Sequence, residues 1–454
     1  MHSRPAFLKN TMKKFALILL SAALFAACNT KPSLEPIVIS VEPTDNVLRF
    51  KVNTSRDASV EVRKKDSGEW VRMPGGMAVL LYPETEYECR AVAGDVLSNT
   101  VSFTTGTIPE EVPTYELAIN NGGPTSGYLM QWKENDPGYI TIADVYGNVV
   151  WYHRFEGGIR CADYDIATHR ICAISGAKQI EPNMMTPRPA TTVNVVDLFG
   201  NEILNIETSA QTVEYPHHEA KWTPDGNNMI FVSHNYHTMD LTSLGLGSDV
   251  KVWGDEIIET DIYGKPVWRW DVLDHLNVLE AADYLPMNKT YDLIHMNCAS
   301  KDSEGNYYTS LLWIKEVWKI DGKTGDVLYR LGPHGDVNVE GGYAVGGFHS
   351  IVVLEPDKFI VNNNSETMTD PTYAKIYEID PVSKTAKVTM NVPLDAEYTS
   401  TTGGNAQVLS DGKTVMFDSG QGKCCAFVDM EGNILRIIKR QNTSYRAFYF
   451  ERMF

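Results

Sequence analysis

The sequence has no surplus of positive charge. Its 40 lysines and arginines face 58 aspartates and glutamates, leaving a formal charge of -18 at pH 7, and no basic patch stands out. A general nucleic-acid surface needs clustered Lys and Arg to neutralise phosphates, so no nucleic-acid partner is expected. Cysteine is also scarce, 7 in 454 residues, which is not the dense pattern of a small disulfide-stapled domain. Past the N-terminus no apolar run reaches the roughly 20 residues a membrane span needs. No long segment repeats its apolar residues with a period of 3.6, so helices are not expected to carry the fold. What the chain does have is 43% apolar residues. That is enough for large cores and argues against disorder, and the length suits two or three domains.

The N-terminus reads as a processing signal. Lys13 and Lys14 precede an apolar stretch from Phe15 to Ala27, and Cys28 follows Leu24-Phe25-Ala26-Ala27. About 13 apolar residues are too few for a span. The arrangement resembles a bacterial lipoprotein signal, in which the cysteine becomes the lipidated first residue. Met12 is then the expected start, residues 1–27 the signal peptide, Cys28 the lipidation site and 28–35 a tether. The expected location is the cell envelope, lipid-anchored at the outer membrane and facing the periplasm or the exterior. Asn29, not an aspartate, follows the cysteine, which favours export past the inner membrane. Cys424 and Cys425 are adjacent; they either pair elsewhere or stay as small buried apolar groups.

Residues 36–108 read as short strands separated by turns, for example Val47 to Val52, Ala58 to Arg63 and Tyr87 to Ala93. About 70 residues suit a small sandwich. The run Leu81-Tyr82-Pro83-Glu84-Thr85-Glu86-Tyr87, with Phe103-Thr104-Thr105-Gly106, resembles a fibronectin type III-like module, expected to serve as a spacer. Residues 109–118, rich in Pro and Glu, are the expected linker.

From residue 119 to 454 the chain repeats. A glycine turn followed by an apolar strand recurs at Gly147-Asn148, Gly200-Asn201, Gly264-Lys265, Gly325-Asp326 and Gly432-Asn433, with a degenerate copy at Ser383 to Val388. Several copies follow a strand ending in aspartate: Asp144, Asp197, Asp321, Asp380 and Asp429. A second turn recurs at Pro224-Asp225-Gly226, Ser303-Glu304-Gly305, Pro356-Asp357 and Ser410-Asp411-Gly412. Each unit of about 50–65 residues therefore holds four strands. A lone four-stranded sheet cannot cover both its faces, whereas radial stacking covers them. The expectation is an all-β chain: a six-bladed β-propeller preceded by a small β-sandwich domain.

Three of the 11 histidines sit just before the first strand of a unit: His218, His295 and His349. Asn405 takes the corresponding place in the last unit. The first strand of each blade lines the central channel, so these residues should share one opening. Imidazoles there suit nucleophilic and acid–base work. Adjacent His217, His218 and Glu219 raise a metal alternative, but neighbours on one strand point to opposite faces, so only one of the two histidines should face the channel. No cofactor and no metal is expected.

The order of Pro216-His217-His218-Glu219, Trp268-Arg269-Trp270-Asp271, Leu293-Ile294-His295-Met296-Asn297, Val317-Trp318-Lys319-Ile320-Asp321, His349 and Tyr445-Arg446-Ala447 resembles the bacterial arylsulfate sulfotransferases. The resemblance implies a six-bladed propeller that moves a sulfuryl group between phenols through a sulfated histidine. It places His349 as the nucleophile and His218 and His295 as its supports, with His217 and Asn297 as further candidates; Asn405 joins them from its matched place in the repeat. It also implies an arginine where this chain has Leu312, with Lys315 three residues on and facing away. Losing a guanidinium removes a bidentate oxyanion clamp. Three functions therefore compete: aryl sulfate transfer to a phenol, non-catalytic binding of a small aromatic or glycan, and a hydrolase or lyase in the same pocket.

Overall fold

Six aspartates set the rhythm of the chain. Asp144, Asp197, Asp261, Asp321, Asp380 and Asp429 each accept backbone N–H bonds through Oδ1 from residues two and three or four further on. Asx turns of this kind reverse the chain without a long loop. Five of them carry a glycine at positive φ, Gly147, Gly200, Gly264, Gly325 and Gly432. In the degenerate copy Lys384 takes that conformation, at φ 54°. Each turn joins the third and fourth strands of one sheet.

The computed structural model describes residues 35–180, 189–284, 293–342 and 347–454. The expected signal peptide, Cys28 and nearly all of the tether lie outside the described residues. Among the described residues, no helix is long and apolar enough to cross a membrane.

The six sheets are the six blades of a propeller. Their innermost strands are Ala447–Phe450 in blade I, Ile159–Asp165 in II, Pro216–Trp222 in III, Met296–Lys301 in IV, Gly347–Glu355 in V and Asn405–Val408 in VI. The ring closes twice. The C-terminal strand Ala447–Phe450 pairs antiparallel with Tyr128–Lys133 and completes blade I from within. The strand Tyr115–Asn120 pairs with Ile434–Arg440 and completes blade VI from without. The propeller therefore begins inside the stretch expected to be linker: residue 115 already belongs to a blade. A Pro- and Glu-rich composition did not reveal this, because an edge strand needs only half its face apolar. Here Leu117 and Ile119 pack inward while Glu116 is exposed.

Blades stack through apolar faces. Trp132, Trp151, Ile171 and Phe231 belong to one core, and Ile230, Trp270, Trp318 and Ile320 to the next. Ahead of the ring stands a small two-sheet sandwich. Ile39–Pro43, Phe50–Thr54 and Met77–Ala78 form one sheet; Ser59–Lys64, Val71–Met73, Glu86–Ala93, Val96–Leu97 and Val101–Thr104 form the other. It sits against blades I and II. Tyr82 Oη donates to Asp144 at 2.9 Å, and Asn46 Nδ2 donates to Tyr152 O, also at 2.9 Å. Arg49 lies so close over Gly200 that a Cβ there would meet Nη1 at 1.7 Å. Glycine is therefore required at that turn for contact as well as for φ.

Candidate active site in the central channel

The inner strands of blades III, IV and V do not run as plain β-structure. His218 and His295 take φ of 56° and 52°, and Ser350, next to His349, takes 53°. The ladders slip at the same places, between His217 and Ala220, Met296 and Cys298, and His349 and Val352. Left-handed backbone on non-glycine residues is costly and concentrates where function holds a side chain in place. His218 and His295 themselves occupy the left-handed position, whereas His349 lies one residue before it.

The bulge overturns the expectation that His217 and His218 point apart. Alternation of side chains holds only for extended residues, and at φ 56° His218 breaks it. Both rings turn together: the two Nδ1 atoms lie 2.5 Å apart and the rings meet edge to face at 4.8 Å.

The three inner-strand histidines come together as expected. His218 and His295 meet at a ring separation of 4.8 Å, and Tyr445 stands between His218 and His349, at 5.2 and 6.3 Å. Trp313 also packs against His295, with ring centroids 5.2 Å apart. All three histidines are buried. Burial together with Arg446 and His295 lowers His349 to about 3. Burial and the neighbouring imidazoles push His218 well below the usual histidine range. His217 is lowered to about 4 by burial and by His234. At neutral pH these rings are uncharged, with lone pairs available.

A buried clamp lies next to them. Arg446, from the C-terminal segment, reaches across to Glu219 on blade III with two 2.8 Å bonds, and its Nη2 donates to Asn297 O at 2.6 Å on blade IV. Asn297 is tied in turn to Phe348 O, at 3.0 Å, and to Ser310. Asn405 is buried on blade VI, where its Oδ1 accepts from Ala447 N at 3.1 Å. Asn297 and Asn405 thus brace the ring, and Glu219 is held by arginine. A site built from His217, His218 and Glu219 is not assembled. Another set is: ligand atoms of His217, His234 and Asp255 all lie within 4.8 Å of one another.

Leu312 is not in a strand. It opens the turn after Tyr307–Leu311, its N–H on His295 O at 3.2 Å, and Cδ1 lies 2.6 Å from where a Gly347 Cβ would stand. An apolar side chain therefore borders the His349 segment. Lys315 lies in the same turn at φ 56°, so strand alternation does not govern it; its Nζ pairs with Glu366.

Sequence reasoning did not identify Asp255, His234, Trp313 or the Arg446–Glu219 pair as parts of the site. Arg446 and Glu219 stood in motifs already noted, Tyr445-Arg446-Ala447 and His217-His218-Glu219, but nothing in the linear order paired residues so far apart.

The profile of the family described as Arylsulfotransferase (ASST) matches residues 190–440, which takes in His217, His218, His295, His349 and Asn405. No curated protein matches the chain. Among solved structures, a Bacteroides caccae protein of unknown function is 14% identical, covering 72% of this chain and 100% of its own, with a TM-score of 0.44. The periplasmic gluconolactonase of Pseudomonas aeruginosa is 8% identical over 72% of this chain and 99% of its own, at 0.41. The WD40 β-propeller domain of Doa1 is 12% identical over 73% and 89%, at 0.39.

Proposed function

The chain belongs to the arylsulfotransferase family, and from that membership we propose that it moves a sulfuryl group from an aryl sulfate to a phenol through a sulfated His349. The observation that carries this reading is the clustering of His218, His295 and His349, from three successive blades: His218 meets His295, and Tyr445 meets both His218 and His349.

A nucleophile must offer a lone pair, and the neutral His349 does so at any pH near 7. Its ring nitrogen attacks sulfur, the aryl–oxygen bond to sulfur breaks, and the phenolate leaves. His295, whose ring meets His218 at 4.8 Å, is placed to donate to the sulfuryl oxygens or to the departing oxygen. An acceptor phenol then attacks the same sulfur, the N–S bond breaks, and a histidine takes the phenolic proton. Tyr445 and Trp313 offer aromatic faces to the phenol rings. Leu312 supports the competing reading of a ligand-binding channel, because an apolar group cannot balance charge on the sulfuryl oxygens.

Incubation of the purified protein with 4-nitrophenyl sulfate and phenol separates these readings. The expected result is acceptor-dependent nitrophenol release that falls to background in His349→Ala. Release without acceptor would mean hydrolysis, and silence over a broad panel of aryl sulfates would leave binding.

We further propose that Cys28 carries lipid and holds the protein at the cell envelope, as the basic pair and apolar stretch before it suggest. Cys28→Ser is expected to move the expressed protein from the detergent phase to the aqueous phase in a two-phase partition. Unchanged partition would remove the anchor.

A further inference from the structure

Asp255 lies on the third strand of blade III, wholly buried. Its Oδ1 accepts from His217 Nε2 at 3.0 Å and from His234 Nδ1 at 2.7 Å, while Oδ2 accepts from Met296 N at 2.6 Å. Three N–H donors converge on one carboxylate, which favours its ionised form. His217 must then carry its proton on Nε2, because a lone pair there would face an anion. Its Nδ1 is consequently an acceptor. That atom lies 2.5 Å from His218 Nδ1, and the contact is attractive only if His218 holds its proton on Nδ1. His218 Nε2 is left as a lone pair with no protein partner among the described residues.

We infer that Asp255 and His217 act as positioning residues: they lock His218 in the Nδ1–H tautomer and make its Nε2 the base that takes the acceptor's proton. The inference rests on the sulfuryl-transfer reading above. As the phenol oxygen bonds to sulfur and the His349 N–S bond breaks, the phenolic proton passes to His218 Nε2. The resulting imidazolium donates from Nδ1 to His217, which donates from Nε2 to Asp255, so the new charge is held through two hydrogen bonds to a carboxylate. In the first half-reaction the donor leaves as the phenolate; the proton that His218 takes from the acceptor in the second half then passes to that phenolate or to solvent and restores the bare Nε2, so no net proton is consumed.

The same three residues have a composition that suits a metal. Their geometry favours hydrogen bonds: His217 and His234 stack at 3.6 Å with only 23° between ring planes. Both ring nitrogens aim at Asp255 Oδ1 itself, at hydrogen-bond distances of 3.0 and 2.7 Å.

Asp255→Asn distinguishes these accounts. An amide presents a donor where the carboxylate presents only acceptors, and so disturbs the tautomer chain while keeping the volume. Turnover with phenol, whose proton must be removed, is expected to fall by about 10²–10⁴-fold. With an acceptor already ionised at the assay pH the loss should shrink to within about tenfold, since general-base catalysis is no longer needed. An equal loss with both acceptors would mean a merely structural role and overturn the relay, as would no loss with either. A second measurement is independent of turnover. In ¹⁵N-histidine-labelled wild-type protein, His218 is expected to show a protonated Nδ1 and a bare Nε2, with a strongly downfield N–H resonance that is lost in Asp255→Asn and in His217→Gln. The opposite tautomer, or stoichiometric metal in the purified protein, would overturn the proposal. If the resonance is present but aryl sulfates are inert, it is the sulfuryl-transfer reading that fails.

Discussion

Arg446→Met is expected to cost about 3–5 kcal/mol of stability, the range found when one partner of a buried ion pair is removed. Both side chains of the Arg446–Glu219 pair are 0% exposed, and the two bonds are 2.8 Å each. Removing the guanidinium leaves Glu219 with Cys161 Sγ and Lys221 Nζ, each at 3.7 Å, and a weak 3.4 Å contact from Ala299 N. None of these replaces a bidentate partner. Asn297 O also loses its 2.6 Å donor. The clamp joins blades I, III and IV, and Arg446 directly precedes the strand that closes the ring, so the loss should appear as a lower midpoint of urea unfolding. Arg446→Met combined with Glu219→Gln should recover a large share, because no uncompensated charge stays buried. A loss below about 1 kcal/mol in the single variant would place the pair with exposed salt bridges, whose contribution is small.

The blades were legible in the sequence because a turn is a local event. Asp144 and Gly147, or Asp429 and Gly432, reverse the chain with groups a few residues apart, and each repeat writes them again. The sixth aspartate, Asp261, was not singled out, though its side chain makes the same bonds. The histidine cluster was legible for the same reason, since equivalent places in a ring must meet. The positive φ at His218 and His295 was not legible. Histidine does not advertise left-handed backbone as glycine does, and it was this conformation that undid the alternation argument for His217. Asp255 and His234 were hidden because they lie on the second and third strands of their blade, in runs that read simply as buried β-structure. The start of the propeller at Tyr115 was hidden because its pairing partner lies at the far end of the chain.

The buried histidines also carry a signature in acid. For His349, lowered to about 3, the unfolded chain with a value of about 6.5 binds a proton more readily than the native state. Its contribution to stability is therefore complete above about pH 6.5 and is lost as pH falls toward the native value. Between pH 8 and 4.5 that loss is about 2.7 kcal/mol for this one group, at 1.36 kcal/mol per unit. Other groups titrate in the same window with the opposite sign. Burial raises Asp163 to about 6, so the native state gains relative to the unfolded chain as pH falls through 6 toward the usual carboxylate value. The wild-type curve alone therefore mixes both effects, and a comparison with a neutral replacement isolates the histidine. His349→Gln is expected to lose stability at pH 8 through its altered packing, and to regain about 2–3 kcal/mol relative to wild type by pH 4.5. Urea titrations of both proteins at the two pH values measure this directly; parallel pH dependences would mean that His349 titrates normally and is not the desolvated neutral imidazole a sulfuryl acceptor must be. Arg446 supplies the link to the first prediction. Its charge is one of the causes holding His349 down, so in Arg446→Met the acid loss assigned to His349 should still begin near pH 6.5 but level off nearer neutrality, and be smaller than in wild type.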